Sequence, residues 1–216
     1  MIESNLKKRI QTSIILLLLV YFMIVNNLIS TYVLIVFGVL SVIEFLQISR
    51  KIFSKILLRY FINFFFILYI SLFCYLFLLF TNLPYLKIII YTVLFGCIAS
   101  DVGGFVFGKI LKGPKITKIS PNKTYSGAFG SIIFTCLIVS LSLFFFTNNF
   151  SFIVIILSII ISSSCQIGDL FFSFLKRKAK IKDTGRFFPG HGGILDRMDG
   201  ILLGIPLGLI SIIILN

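Results

Sequence analysis

The sequence predicts an all-α, polytopic integral membrane protein of about seven transmembrane helices. Three observations predict it. Hydrophobic residues make up 58% of the 216, against about 45–50% in a soluble domain, and mean hydropathy is +1.11. Apolar runs long enough to cross a bilayer recur along the chain. Lys and Arg fall almost entirely in alternate loops. The formal net charge of +13 therefore reads as a topology signal rather than a nucleic-acid surface, and no nucleic-acid partner is expected. Cys74, Cys97, Cys136 and Cys165 sit inside apolar runs without CxxC spacing, which makes them packing residues rather than metal or disulfide positions.

Lys7-Lys8-Arg9 precedes an apolar run over 12–25. No small-residue cleavage site follows it, so it reads as helix 1 and not as a signal peptide. Helix 2 is expected over 31–48, with Glu44 near its end as a snorkelling interfacial carboxylate. After a basic loop, helix 3 covers 60–80, and Thr81-Asn82-Leu83-Pro84 is a turn. Helix 4 covers 88–107, helix 5 covers 128–146, helix 6 covers 150–174 and helix 7 covers 195–215. The whole is read as one membrane domain, 1–216, with N-terminal helices over 1–85 and a catalytic part over 86–216. All 20 basic residues except Lys87 and Arg197 lie at the N-terminus or in the loops after helices 2, 4 and 6. That bias puts the N-terminus and those loops in the cytoplasm and the C-terminus outside.

Few polar residues interrupt this pattern. Asp101 and Asp169 fall inside helices 4 and 6, where a carboxylate costs about 2.5–3.5 kcal/mol and so faces a polar cavity or a partner. Asp196 and Asp199 are three residues apart at the start of helix 7 and share a face. Both would be favoured there by the macrodipole. Clustered carboxylates of this kind would hold Mg²⁺, which prefers oxygen ligands, and Asp169, Asp196 and Asp199 are the candidate ligands. Gly200, Gly204 and Gly208 continue the Asp196 stripe and permit close helix approach. In Gly190-His191-Gly192-Gly193, backbone N–H groups can converge on an anion, with Lys176, Arg177, Lys182 and Arg186 nearby. His191, the one histidine, serves there or simply stabilises the turn. Lys123, in Ser120-Pro121-Asn122-Lys123-Thr124, is placed to neutralise phosphate or to anchor the loop.

The stretch from Ser173 to Asp199 resembles the signature of the phosphatidate cytidylyltransferase family, the CDP-diacylglycerol synthases. The matching positions are Ser173, Lys176-Arg177, Lys182-Asp183, Gly185, Pro189-Gly190-His191-Gly192-Gly193 and Asp196-Arg197-Met198-Asp199. The resemblance reaches upstream to Ser100-Asp101, Ser120–Thr124 and Gly168-Asp169 and leaves the N-terminal third as generic membrane sequence. It implies a nucleotidyltransferase that joins CTP and phosphatidic acid into CDP-diacylglycerol and pyrophosphate. It also implies Mg²⁺, a second cation such as K⁺, a homodimer, and contact with membrane lipids. The active-site cavity would open at the cytoplasmic face of a bacterial inner membrane. In its terms Lys123, Asp101, Lys182, Asp183 and His191 are catalytic candidates. Ser120, Asn122, Lys176, Arg177, Arg186, Gly190, Gly192, Gly193 and Arg197 are substrate-binding candidates. Two rivals remain open: a CTP-dependent kinase of a polyprenol-type lipid alcohol, and a transporter, which would more often show internal repeats.

Overall fold

The computed structural model describes the backbone of all residues except 1, 118, 119, 121, 122, 149–151, 186, 188–191 and 216, and all described side chains except 2–10 and 147. Seven helices lie among them: α1 (Ile2–Val25), α2 (Asn27–Ile52), α3 (Ile56–Asn82), α4 (Pro84–Leu111), α5 (Tyr125–Thr147), α6 (Ile153–Lys178) and α7 (Leu195–Leu215). Ile, Val and Phe are mediocre helix formers. In hydrocarbon, though, every backbone polar group must be satisfied within its own segment, and that constraint overrides propensity. Leu57 and Phe145 are 86% and 80% exposed, as side chains facing lipid would be.

Side chains mark several of the ends. Asn26 accepts from the Leu28 N–H at 2.8 Å to open α2, and Thr124 accepts from the Gly127 N–H at 3.1 Å to open α5. Asn148 ends α5 in the left-handed region, φ 52°, which Asn tolerates. Most helices overrun the expected bounds. Helix α4 continues to Leu111 and α6 to Lys178, because basic residues in a last turn favour the negative end of the helix dipole. The bounds expected for α7 are those observed.

Six helices, α2 to α7, are long and apolar enough to cross a membrane. The described apolar part of α1, Gln11–Val25, is shorter, roughly 22 Å at 1.5 Å per residue against a hydrocarbon core of about 30 Å. The expectation of about seven spans thus holds as seven helices, of which six meet the length on their described residues.

The chain divides into two compact units. One comprises Met1–Pro84 with Leu175–Met198, the other Tyr85–Phe174 with Asp199–Asn216. In the first, α2 packs on both α1 and α3. Leu34, Gly38, Ser41, Glu44, Phe45 and Ile48 are buried, a three-to-four spacing that makes one inner face. Phe45 stacks on Phe66 of α3 with ring centroids 3.7 Å apart.

In the second unit α4 is the central element, with Ile90 and Val93 wholly buried. Helices α4 and α5 meet through small residues. A β-carbon added at Gly103 would stand 2.7 Å from the Phe134 Cβ, and one at Gly104 2.7 Å from the Ser131 Oγ. Hydroxyls exploit the approach: Ser131 donates to the Ser100 carbonyl at 2.8 Å and Thr135 to the Gly96 carbonyl at 3.2 Å. The close approach expected of the α7 glycines is observed. A β-carbon at Gly208 would stand 2.8 Å from Val93 on α4 and 3.0 Å from Ile161 on α6. Gly103→Ala is expected to destabilise the protein by about 1–3 kcal/mol through overpacking. Thermal melting in detergent checks this, and an unchanged midpoint would show a looser α4–α5 contact.

Candidate active site

The second unit holds a polar cavity of about 230 Å³, smaller than the roughly 300–1,000 Å³ of whole-ligand pockets. Its wall includes Asp101 from α4, Ser120 and Lys123 from the loop before α5, and Gln166 and Asp169 from α6. The loop is held by its own backbone. The Lys123 N–H donates to the Ser120 carbonyl at 3.1 Å, Ile116 N–H to the Lys123 carbonyl at 3.0 Å, and Tyr125 N–H to the Pro114 carbonyl at 3.0 Å. Lys123 is thereby fixed one residue before the Thr124 cap. Its Nζ donates to Asp169 Oδ2 at 2.9 Å and to the Gln166 carbonyl at 3.4 Å. Four residues singled out from sequence, Asp101, Ser120, Lys123 and Asp169, therefore share one cavity. The helix that joins α4 and α6 in this wall is α5, through Gly127, Ala128 and Ser131. Sequence reasoning did not single out Gln166, which braces the wall by donating to the Ala128 carbonyl at 3.3 Å and to Ser162 Oγ at 3.2 Å.

Asp199 lies at the contact of α7 with α6. A β-carbon at Gly168 would meet the Asp199 carbonyl, and one at Gly200 would stand 2.8 Å from Asp169 Oδ1. The residues flanking that contact, Asp169 and Asp199, are both carboxylates. Among the described residues no three His, Cys, Asp or Glu side chains converge as a metal-ligand group. Mg²⁺ does not require one, since one or two carboxylates, waters and substrate phosphates usually suffice. Asp169 and Asp199 are carboxylates of the kind such an ion takes, with Asp169 Oδ2 held by Lys123 at 2.9 Å and Asp199 Oδ1 by the Gly200 N–H at 3.1 Å.

The first unit holds the signature loop. Lys176 Nζ donates to Asp196 Oδ1 at 2.8 Å, with the two side chains only 12% and 7% exposed. Asp196 Oδ2 accepts from Thr184 N–H at 2.8 Å and from Gly193 N–H at 3.0 Å. The reach from Asp196 back to residue 193 is that of a capping box at the start of a helix. Both oxygens of Asp196, expected as a Mg²⁺ ligand, are thus engaged by the chain itself, and Lys176, expected to bind substrate, is one of its partners. Gly192 has φ 82°, a conformation natural only to glycine. Lys182, Asp183, Arg177 and Arg197 are exposed around this loop. Asn122, Arg186, Gly190 and His191 lie outside the described residues.

Glu44 is the residue that sequence reasoning misread. It does not snorkel; it is 7% exposed. Oε2 accepts from the Thr184 hydroxyl at 2.6 Å and from Leu195 N–H at 2.9 Å, and Oε1 accepts from Ile194 N–H at 3.0 Å. Its carboxylate fills the space where side chains at Gly185 and Gly193 would be. The signal was present in the sequence: Glu44 follows Gly38 and Ser41 on the face of α2 that packs inward.

These features define a helical membrane protein with a lysine–aspartate pair in a polar cavity and a glycine loop fastened by carboxylates. The match to the Cytidylyltransferase family runs over residues 6–215, and the chain belongs to that family. It is similar to proteins named phosphatidate cytidylyltransferase from Mycobacterium leprae (38% identical over 52% of this chain and 36% of that protein), Helicobacter pylori (41% over 50% and 40%) and Rickettsia felis (42% over 53% and 55%). The matched part spans roughly half or less of those relatives.

Burial separates the two ion pairs. Lys176→Met leaves a nearly buried carboxylate without its cation and is expected to cost about 3 kcal/mol. Lys123→Met breaks a pair with side chains 25% and 20% exposed, so screening should hold the loss near about 1 kcal/mol. Melting both variants in the same detergent checks the order; the reverse order would mean the loop is not held through Lys176.

Proposed function

We propose that this chain transfers the cytidylyl group of CTP to phosphatidic acid, giving CDP-diacylglycerol and pyrophosphate. Family membership and the names of the relatives support the reading. The observation that carries it is the cavity in which Asp101 accompanies the Lys123–Asp169 pair at 2.9 Å. A phosphate oxygen of the lipid attacks the α-phosphorus of CTP in line. A P–O bond forms there, the bond to the bridging oxygen breaks, and pyrophosphate leaves. Both substrates are anions, so positioning and charge neutralisation dominate the barrier.

Lys123, presented at the cavity wall, sets a positive charge against a phosphate, and Asp169 orients it. Ser120 and Asn122, on the same loop, offer polar contacts. In the signature loop Lys176 holds Asp196, whose two oxygens tie the loop ends. Lys182, Arg177, Arg186 and Arg197 supply positive charge for the triphosphate. Gly190 and Gly192 are the backbone positions proposed to approach it, whereas Gly193, expected to join them, has its N–H on Asp196 and the Glu44 carboxylate against its α-carbon; Asp183 and His191 act there by resemblance. Asp169 and Asp199 would hold Mg²⁺, which when bound offsets phosphate charge. A second cation such as K⁺ and a homodimer belong to this proposal through the resemblance.

The protein is an integral membrane protein by its apolar helices. Its place in a bacterial inner membrane with the active site toward the cytoplasm is part of the proposal, supported by the basic last turns of α2, α4 and α6.

Purified protein with phosphatidic acid, Mg²⁺ and CTP labelled at either the α or the γ phosphorus tests the reaction. Label should enter lipid from the α position alone; entry from γ would make the protein a lipid kinase. In a background free of the native cysteines, Lys115→Cys and Lys180→Cys should both be labelled from the cytoplasmic side, and outside labelling of either would invert the topology. Asp101→Asn should lower turnover by about 10²-fold or more, as for loss of a transition-state electrostatic contact. It should leave the melting temperature nearly unchanged, because Asp101 is exposed at the cavity wall and the amide still hydrogen-bonds. Early melting with normal specific activity would make Asp101 a structural residue only.

A further inference from the structure

We propose that Glu44 is a positioning residue that fixes the geometry of the signature loop from α2. The inference rests on the function proposed above and adds to it a residue that none of the signature positions includes. Glu44 sits inside α2, eight residues before its end at Ile52, and within the same compact unit as the loop. Its three bonds reach both ends of that loop: Thr184 before it, Ile194 and Leu195 after it. Thr184 also bridges two carboxylates, its hydroxyl donating to Glu44 and its amide to Asp196. One chain of contacts thus runs from Lys176 through Asp196 and Thr184 to Glu44 and on to the first amides of α7.

The residues between these anchors, 185 to 193, include the glycines and the histidine of the signature. Fixing Thr184, Ile194 and Leu195 fixes the distance that this segment has to span. A carboxylate is suited to this work because both oxygens accept and bonds to a charged acceptor are the stronger kind. It also completes orphan N–H groups at the start of α7. Glycine at 185 and 193 follows from the same contact, since any side chain there would displace the Glu44 carboxylate. Glu44 touches the loop rather than the reacting atoms, so its effect on the reaction is indirect.

Glu44→Gln replaces one accepting oxygen with an NH₂ that faces N–H donors, so the anchors separate. Turnover of the folded protein is expected to fall by about 10²-fold in kcat/KM for CTP, the scale of an ångström-level misplacement. Thr184→Val removes one of the three bonds and should cost about 10-fold, whereas Thr184→Ser keeps the hydroxyl and should stay within about 2-fold of wild type. Because the two residues share a bond, Glu44→Gln with Thr184→Val should be little worse than Glu44→Gln alone. Amide hydrogen exchange of residues 184–195 supplies a readout that needs no substrate: it should quicken in Glu44→Gln and Thr184→Val and not in Thr184→Ser, with α5 amides unchanged. Should Glu44→Gln not fold, the Thr184 pair decides. Normal kcat/KM per folded molecule in Glu44→Gln or Thr184→Val, or equal loss in Thr184→Val and Thr184→Ser, would overturn the assignment. If wild type moves no label from CTP while exchange responds as expected, the proposed reaction fails and the anchoring stands.

Discussion

A carboxylate inside a membrane helix must be answered by donors or cations, and this requirement shapes the polar interior of the protein. Of seven acidic residues, only Glu3 and Asp183 lie outside the helices long enough to span; the other five are Glu44, Asp101, Asp169, Asp196 and Asp199. Three of the five have partners that show how the requirement is met. Lys123 answers Asp169. Lys176 and two backbone amides answer Asp196. A hydroxyl and two amides answer Glu44. Each solution fixes a loop residue to a helix, so the cost of burying charge is turned into order at the loops.

Glycine makes these arrangements possible by absence of volume. Along α4 and α5 it lets backbones approach until hydroxyls reach carbonyls of the neighbouring helix. Helix α7 uses it to lie against Asp169 and Cys165. In the signature loop its purpose differs: positions 185 and 193 are empty so that one carboxylate can enter. The same residue type in a sequence motif thus answers three separate steric needs, of which only the conformational one at Gly192, φ 82°, is a property of the backbone itself.

In a membrane the hydrophobic effect does not drive helices together, since lipid is as apolar as the helix faces. Packing and interhelical hydrogen bonds must carry association. The Ser100–Ser162 contact at 3.1 Å and the Ser131 and Thr135 bonds to backbone are that kind of contact. Ser100 and Ser131 also lie on the wall of the polar cavity, so contacts that hold this unit together also shape that cavity.

Hydropathy and helical periodicity are local properties, and what depends on them was legible in the sequence alone: seven apolar helices, six of them long enough to span on their described residues, the bounds of α7, and the inward face of its glycines. The sharing of one cavity by Asp101, Ser120, Lys123 and Asp169 was legible as a list of candidates, because polar residues stand out against an apolar chain. Which of them pair was not. Asp169 finds Lys123 across 46 residues, and Glu44 finds Thr184 across 140 and Leu195 across 151. Glu44 read as an interfacial charge because a single carboxylate near a helix end has that meaning locally. Only the tertiary structure brings the loop over it, since the partners that make its burial tolerable lie more than half the chain away.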